Sequence, residues 1–219
     1  MRAPARHRPR QTPIAKRQLI LRVAREEFAA RGFAGTRVET LARKARVNKA
    51  LLYYYFGSKL GLYKHIIHED VDRFSARMRQ VAEAQATAEE KIARWVEALA
   101  THFTDEPTLP LMMLRELADG GSHLDAETLR ELTIFVPLVR SLIEQGQREG
   151  VFGEADPITL HFMLMGSTLF FTANAPIRRR IRQLGYALPP IEIAPFVNHL
   201  QHVALRSLRK DPDHAHSID

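Results

Sequence analysis

The chain of 219 residues has no cysteine. Disulfide staples, thiolate zinc sites, iron–sulfur clusters and cysteine nucleophiles are excluded at once. Also missing is any sustained apolar/polar alternation with β-branched enrichment, and no Asn-Gly or Asp-Gly pair separates two apolar runs. Hairpin-built β folds are therefore not expected. No apolar stretch follows the Arg- and Pro-rich start MRAPARHRPRQTP, so it does not read as a secretory signal. The most apolar segment, Ile158 to Pro176, is interrupted by His161, Ser167, Thr168, Thr172 and Asn174. It is short for a spanning helix, which needs about 20 apolar residues; burial in a core or at a subunit interface suits it better, and no membrane partner is expected. The chain lacks a Gly-x-Ser-x-Gly elbow, a Walker loop and a dinucleotide fingerprint, so nothing supports an enzyme or a cofactor. His65/His68 and His199/His202 are spaced for one helix face, but neither pair has a third ligand nearby, and no metal is expected.

What the chain does have is a charge asymmetry. Residues 1–65 hold 16 Lys+Arg against 3 Asp+Glu, whereas residues 66–219 hold 16 against 22. A head of +13 on a body of −6 suggests that the head meets a polyanion and the body does something else.

The periodicity is helical throughout, predicting about nine helices. Ile20, Ala24 and Phe28 share a face of the first, and Gly32 stops it. Thr36-Arg-Val-Glu39 reads as a capping box opening the second, which ends at Ala45. The third runs from about Asn48 to Phe56. Gly57-Ser58 breaks it, and Ser58 can cap a fourth toward Gln80. In the body, Thr87-Ala-Glu-Glu90 is a second capping box, and Leu111 to Ala118 a short helix. Asp125 opens a long helix to Glu149 that Pro137 kinks or splits. Asp156-Pro157 opens the apolar helix. Arg178-Arg-Arg-Ile-Arg182 reads as part of a long connection, and a last helix spans about Pro195 to Arg209. The expected organisation is a flexible basic arm over 1–13, a helix-turn-helix domain over 14–60, a body over 61–210 and a disordered tail over 211–219.

Two short helices joined by Ala45-Arg46-Val47 predict a helix-turn-helix. Val47, Leu52 and Phe56 can face inward, which leaves Asn48, Lys49, Tyr53 and Tyr54 outward. A phenol can lie on sugar and donate to a phosphate oxygen. Asn48 suits adenine and Lys49 suits guanine or phosphate, while Lys59 sits at a helix start that already attracts phosphate. A membrane-surface role would require one long amphipathic basic helix instead.

The segment GFAGTRVETLARKARVNKALLYYYFGSKLGLY resembles the DNA-binding unit of TetR-family bacterial transcription repressors. It matches in the Gly-Phe after helix one, the Leu-Ala of helix two, the Leu-Tyr-Tyr-Tyr-Phe run and the Ser-Lys opening helix four. The resemblance covers Ile14 to Tyr63. It implies an all-α homodimer with a ligand-binding, dimerising body, whose interface would be the helices at 156–175 and 195–209. It places Thr36, Arg37, Tyr54 and Lys59 near phosphates, and Asn48, Lys49, Ala50, Leu51 and Tyr53 at or near base edges. Ala50 stands where Gly is usual, and Leu51, where a small polar residue is frequent, can read only a thymine methyl.

Within the body, His102, Phe103, Met112, Met113, Arg115, Glu116, Phe135, His161, Phe162, Met165 and Phe170 are candidates to line an adaptable apolar site. The expected partners are double-stranded DNA, a second copy and an unidentified small-molecule inducer, in the cytoplasm at the nucleoid. An architectural DNA-binding protein is the alternative, but it leaves about 150 residues of acidic helical body unexplained.

Overall fold

A computed structural model describes residues 12–189 and 192–210; the flexible arm expected over 1–13, as far as residue 11, and the disordered tail expected over 211–219 lie outside the described residues. The chain divides after Ile67 into two compact units. The division falls inside a helix, seven residues beyond the break expected at 60.

The first unit holds three helices, α1 (Pro13–Gly35), α2 (Val38–Ala45) and α3 (Lys49–Phe56), and the start of α4 (Lys59–Glu83). Thr12 caps α1, accepting from the Ala15 N–H, so this helix starts inside the expected arm. Gly32 breaks the helix with φ 71° and ψ 177°, a backbone that L side chains resist. Ile20, Ala24, Phe28, Leu41, Ala45, Leu52, Leu62, Tyr63 and Ile66 are all buried. Tyr63 meets Phe28 edge-on at 4.8 Å and Phe33 at 5.3 Å.

One capping expectation fails here. Helix α2 begins at Val38, behind an Arg37 that makes no side-chain cap. The Thr36 hydroxyl turns inward and donates to the Gly32 carbonyl at 2.8 Å and to the Glu27 carbonyl at 3.3 Å. The Gly32 break frees α1 carbonyls, and a buried hydroxyl satisfies them better than it would serve a solvent-facing helix start.

The second unit contains α5 (Ala88–Asp105), α6 (Leu109–Ala118), α7 (Ala126–Leu132), α8 (Phe135–Arg148), α9 (Pro157–Ala173), α10 (Ala175–Gln183) and α11 (Ile193–Leu208), with the rest of α4. Caps at Thr87, Asp125 and Asp156 form where the sequence places them. The described helices number eleven, against the expected nine, for two local reasons. The 125–149 segment splits at Thr133–Ile134, because Pro137 has no N–H for the ladder and fits only in the first turn of a new helix. Asn174-Ala-Pro176 restarts a helix through the arginine run, since Pro is as well suited to a first turn as to a stop. The core joins Phe74, Met78, Ile92, Trp95, Phe135, Val139, Leu142, Leu160, Leu164, Leu200, Ala204 and Leu208, with Phe152 closing one end. No single described helix is long and apolar enough to cross a membrane.

Candidate nucleic-acid interface

Helix α3 is placed by both of its ends. At its start, Asn48 caps it, the side-chain oxygen accepting from the Ala50 N–H at 2.9 Å. Before it, Arg46 adopts φ 53°, and the Val47 N–H reaches back to the Ala42 carbonyl at 3.0 Å while the Arg46 N–H reaches Arg43 at 3.2 Å. These bonds form a Schellman turn with arginine in the position glycine prefers, at a cost of about 1 kcal/mol. At its end, Gly57 follows with φ 71°, and Ser58 caps α4 through the Gly61 N–H at 2.9 Å.

Leu52 is the one fully buried side chain of α3. With that side anchored, Tyr54 is 80% exposed and Tyr53 43% exposed, and Asn48, Lys49, Ala50 and Arg37 are exposed as well. Tyr55 hydrogen-bonds the Pro13 carbonyl at 3.2 Å, so only two of the three tyrosine hydroxyls are presented outward. Leu51 is half-buried.

Two residues expected near phosphate have other occupations. Thr36 is buried with its hydroxyl used as above, so it offers DNA no side-chain donor. Lys59 is half-buried; its ammonium donates to the Phe33 carbonyl at 2.9 Å and the Thr36 carbonyl at 3.1 Å, and lies 4.2 Å over the Phe33 ring. It ties α4 to the α1–α2 link, which no periodicity in the sequence reveals.

Lys49 forms an ion pair with Glu39 of α2. The hydrogen bond raises the Lys49 pKa above the usual lysine value and lowers that of Glu39 below the usual glutamate value. Glu39 thus holds an anion beside a surface that otherwise attracts one. Replacing Glu39 with glutamine is expected to raise affinity for arbitrary duplex DNA about 3- to 10-fold near 0.1 M salt, and to steepen the salt dependence by about one released ion. Anisotropy titrations at several salt concentrations measure both; an unchanged slope would show that Lys49 stays withdrawn without Glu39.

In the second unit, four of the eleven candidate pocket residues form a stack around a ring that sequence reasoning missed. Phe74 of α4 lies 4.8 Å from His102, 6.3 Å from Phe103 and 4.9 Å from Phe135, and Phe135 stacks on His161 at 5.8 Å. The Val71-Phe74-Met78 spacing could have pointed to Phe74. Met113 and Met165 pack with Phe103, Leu109 and Leu169. Met112 is buried. Glu116 is buried too, and its carboxylate accepts from the His123 backbone at 3.3 Å and meets the ring Nδ1 at 2.9 Å. Arg115 is exposed, and Phe162 and Phe170 are 65% and 64% exposed. Those three do not line the interior: the wheel position of the two phenylalanines puts them on the outer stripe Ile158-Phe162-Gly166-Phe170 of α9. Beside the stack, Ser75 Oγ, Trp95 Nε1 and His161 Nδ1 are buried without a hydrogen-bond partner among the described residues.

Burial, with Arg77 and Arg73 nearby, pushes the His102 imidazole down to about 4. The unfolded value is about 6.5, so protons favour the unfolded chain. The stability His102 contributes as a neutral ring is complete above pH ~6.5 and is lost as pH falls toward 4, amounting to about 2–3 kcal/mol by pH 4.5. Urea unfolding at pH 7, 5.5 and 4.5 should show this loss in the wild type and a flatter profile in His102→Leu; parallel profiles would refute it.

Comparison with known proteins matches these two units separately. Residues 20–66 match the family "Bacterial regulatory proteins, tetR family", and residues 89–188 match "Tetracyclin repressor-like, C-terminal domain". The transcriptional regulator RutR of Escherichia coli is 30% identical over 162 residues, 74% of this chain and 76% of its own. The transcriptional repressor NicS of Pseudomonas putida is 27% identical over 157 residues, 71% of this chain and 74% of its own. A tetR-family regulatory protein from Rhodococcus has the same fold, with a TM-score of 0.73 at 17% identity over 90% of this chain and 98% of that one. PfmR of Thermus thermophilus gives 0.68 at 22% identity over 89% and 98%. The first unit, which presents α3, and the helical second unit are together those of a DNA-binding transcriptional regulator, and the chain belongs to the TetR family.

Proposed function

We propose that this protein is a homodimeric repressor of the cytoplasm, active at the nucleoid, that holds a near-palindromic operator until a small molecule enters its body and releases it. The observation carrying the DNA half is the solvent-facing side of α3, where Asn48, Lys49, Ala50, Tyr53 and Tyr54 stand clear of the buried Leu52. Two such helices fit successive major grooves about 34 Å apart. Lys49 reads a base, Tyr54 and Arg37 hold the backbone, and Lys59 keeps the head rigid while adding charge.

Dimerisation is supported by the stripe Ile158, Phe162 and Phe170, which leaves three large apolar side chains in water along one side of α9. Helices 156–175 and 195–209 are the proposed interface. The inducer site is proposed at the Phe74 stack, where unpartnered buried polar atoms lie among aromatic rings that a ligand could rearrange. A ligand acts only through unequal affinity for the two states; a 100-fold loss of DNA affinity needs about 2.7 kcal/mol of coupling. As proposed domains, 14–60 binds DNA and 61–210 senses and dimerises.

The test is duplex binding by the full chain to the intergenic DNA beside its own gene, against scrambled DNA of equal length. Lys49→Ala should weaken the specific complex more than the non-specific one, and Tyr54→Phe should weaken both alike. A chain that binds no duplex in dilute buffer would end the proposal. A small-molecule thermal-shift screen without hits that alter DNA binding would leave the architectural role instead.

A further inference from the structure

We propose that α10 is an arm that docks on a second copy of this chain, seating Arg179 and Arg182 in the partner subunit's groove between α5 and α11. The inference rests on the homodimer reading above and adds a contact which that reading does not contain.

Helix α10 has no buried residue. Nine residues are too few for a helix to persist in water by itself, so something should cover it. Its side chains sort into two faces. Ile177, Ile181 and Leu184 recur at helical spacing, and Ile177 and Leu184 are 61% and 65% exposed, as is Tyr186 at 68% just beyond. Arg178, Arg179 and Arg182 occupy the other side. Arg178 roots the arm: its guanidinium donates to the Phe171 carbonyl at 2.6 Å and lies 4.2 Å over the Phe171 ring, which stacks on Phe196 of α11 at 3.9 Å. Arg179, Arg180 and Arg182 are exposed, and none meets a carboxylate among the described residues.

Charge selects the occupant. Residues 66–219 carry a net −6 that already includes the four arginines of α10, so the remaining surface of a second copy is strongly acidic. The groove between α5 and α11 has a volume of about 500 Å³. Glu97 and Asp105, the latter 3.7 Å from Arg77 of α4, supply carboxylates along it, and Ala100, Ile193 and Val197 supply apolar surface, which matches the two faces of the arm. In the chain α10 stands between α9 and α11, the two helices of the proposed interface. A lipid surface would find only two large apolar residues, Ile177 and Ile181, on this helix, and DNA would meet these arginines mounted on an acidic body.

The absence of cysteine makes the test direct. The full chain carrying Arg182→Cys and Thr101→Cys should give a disulfide-linked dimer on mild oxidation. Arg179→Glu/Arg180→Glu/Arg182→Glu should weaken dimerisation about 30-fold or more near 0.1 M salt. Mixing that variant with Glu97→Lys/Asp105→Lys should restore association between the two. Since α10 buries nothing, the arginine changes should leave the monomer's melting unaltered. Wild-type dimers with no cross-link, a cross-link closing within one chain, or an unchanged dimer constant in the triple variant would each overturn the arm while leaving the homodimer standing. A monomeric wild type would overturn both. A triple variant that loses only binding to phosphatidylglycerol vesicles or to duplex DNA, with dimerisation intact, would overturn the arm alone.

Discussion

Gly61→Ala should unfold the DNA-binding head or tear α3 from its place. A Cβ at Gly61 would lie 2.1 Å from the carbonyl oxygen of Phe56 and 3.4 Å from the Ser58 hydroxyl. The obstacle is backbone, the last residue of α3, and it cannot swing aside as a side chain could. Relief requires moving α3 against α4, yet the Tyr53–Gly57 bond at 2.8 Å and the Ser58 cap hold that corner. Overpacking of this kind costs about 3 kcal/mol or more, a large share of the stability of a small unit. The expected result is a melting point lower by about 10 °C and a loss of specific DNA affinity of about 100-fold, read by circular dichroism and anisotropy. A Gly61→Ala protein that melts with the wild type and still binds would show that the α3–α4 corner is loose.

Gly146→Ala should do comparable damage in the body, and the cause can be isolated there. A Cβ at Gly146 would fall 1.9 Å from the Phe152 ring, which is 1% exposed. Helix α8 ends in a Schellman turn: Val151 N–H bonds the Gly146 carbonyl and Gly150 N–H the Gln147 carbonyl, each at 3.0 Å, with Gly150 at φ 78°. The turn brings Phe152 back over the helix, onto the bare Cα of Gly146. We expect about 3 kcal/mol of destabilisation for Gly146→Ala and about 3–5 kcal/mol for Phe152→Ala. The double variant should lose clearly less than the sum, since removing the ring removes the clash. Additive losses in urea unfolding would place the strain elsewhere.

Both glycines illustrate what a sequence withholds. Gly61 lies within the motif that resembled the family, and Gly146 within an ordinary amphipathic helix, yet neither position announces the atom that forbids a side chain. Thr36 and Lys59 make the same point about chemistry. Their types suggested a capping hydroxyl and a phosphate-binding ammonium; the fold spends both on carbonyls at the end of α1 and in the α1–α2 link. Phe162 and Phe170 looked like pocket walls by composition, and their wheel positions turned them outward along α9.

Local physics was legible wherever few residues decide it. Caps at Ser58, Thr87, Asp125 and Asp156, the stop at Gly32 and the inward turn of Leu52 all depend on neighbours within one or two helical turns. The basic head and the acidic body needed only counting. The sequence by itself therefore determined that the chain is helical, that its first third meets a polyanion, and which helix is offered. The tertiary structure alone decided which polar groups were free to reach a partner, which rings came together around Phe74, and that Arg179, Arg180 and Arg182 stand exposed on a helix with no buried residue. Those outcomes depend on contacts between residues far apart in the chain, and burial, which sets the cost of every unpaired group, exists only once those contacts have formed.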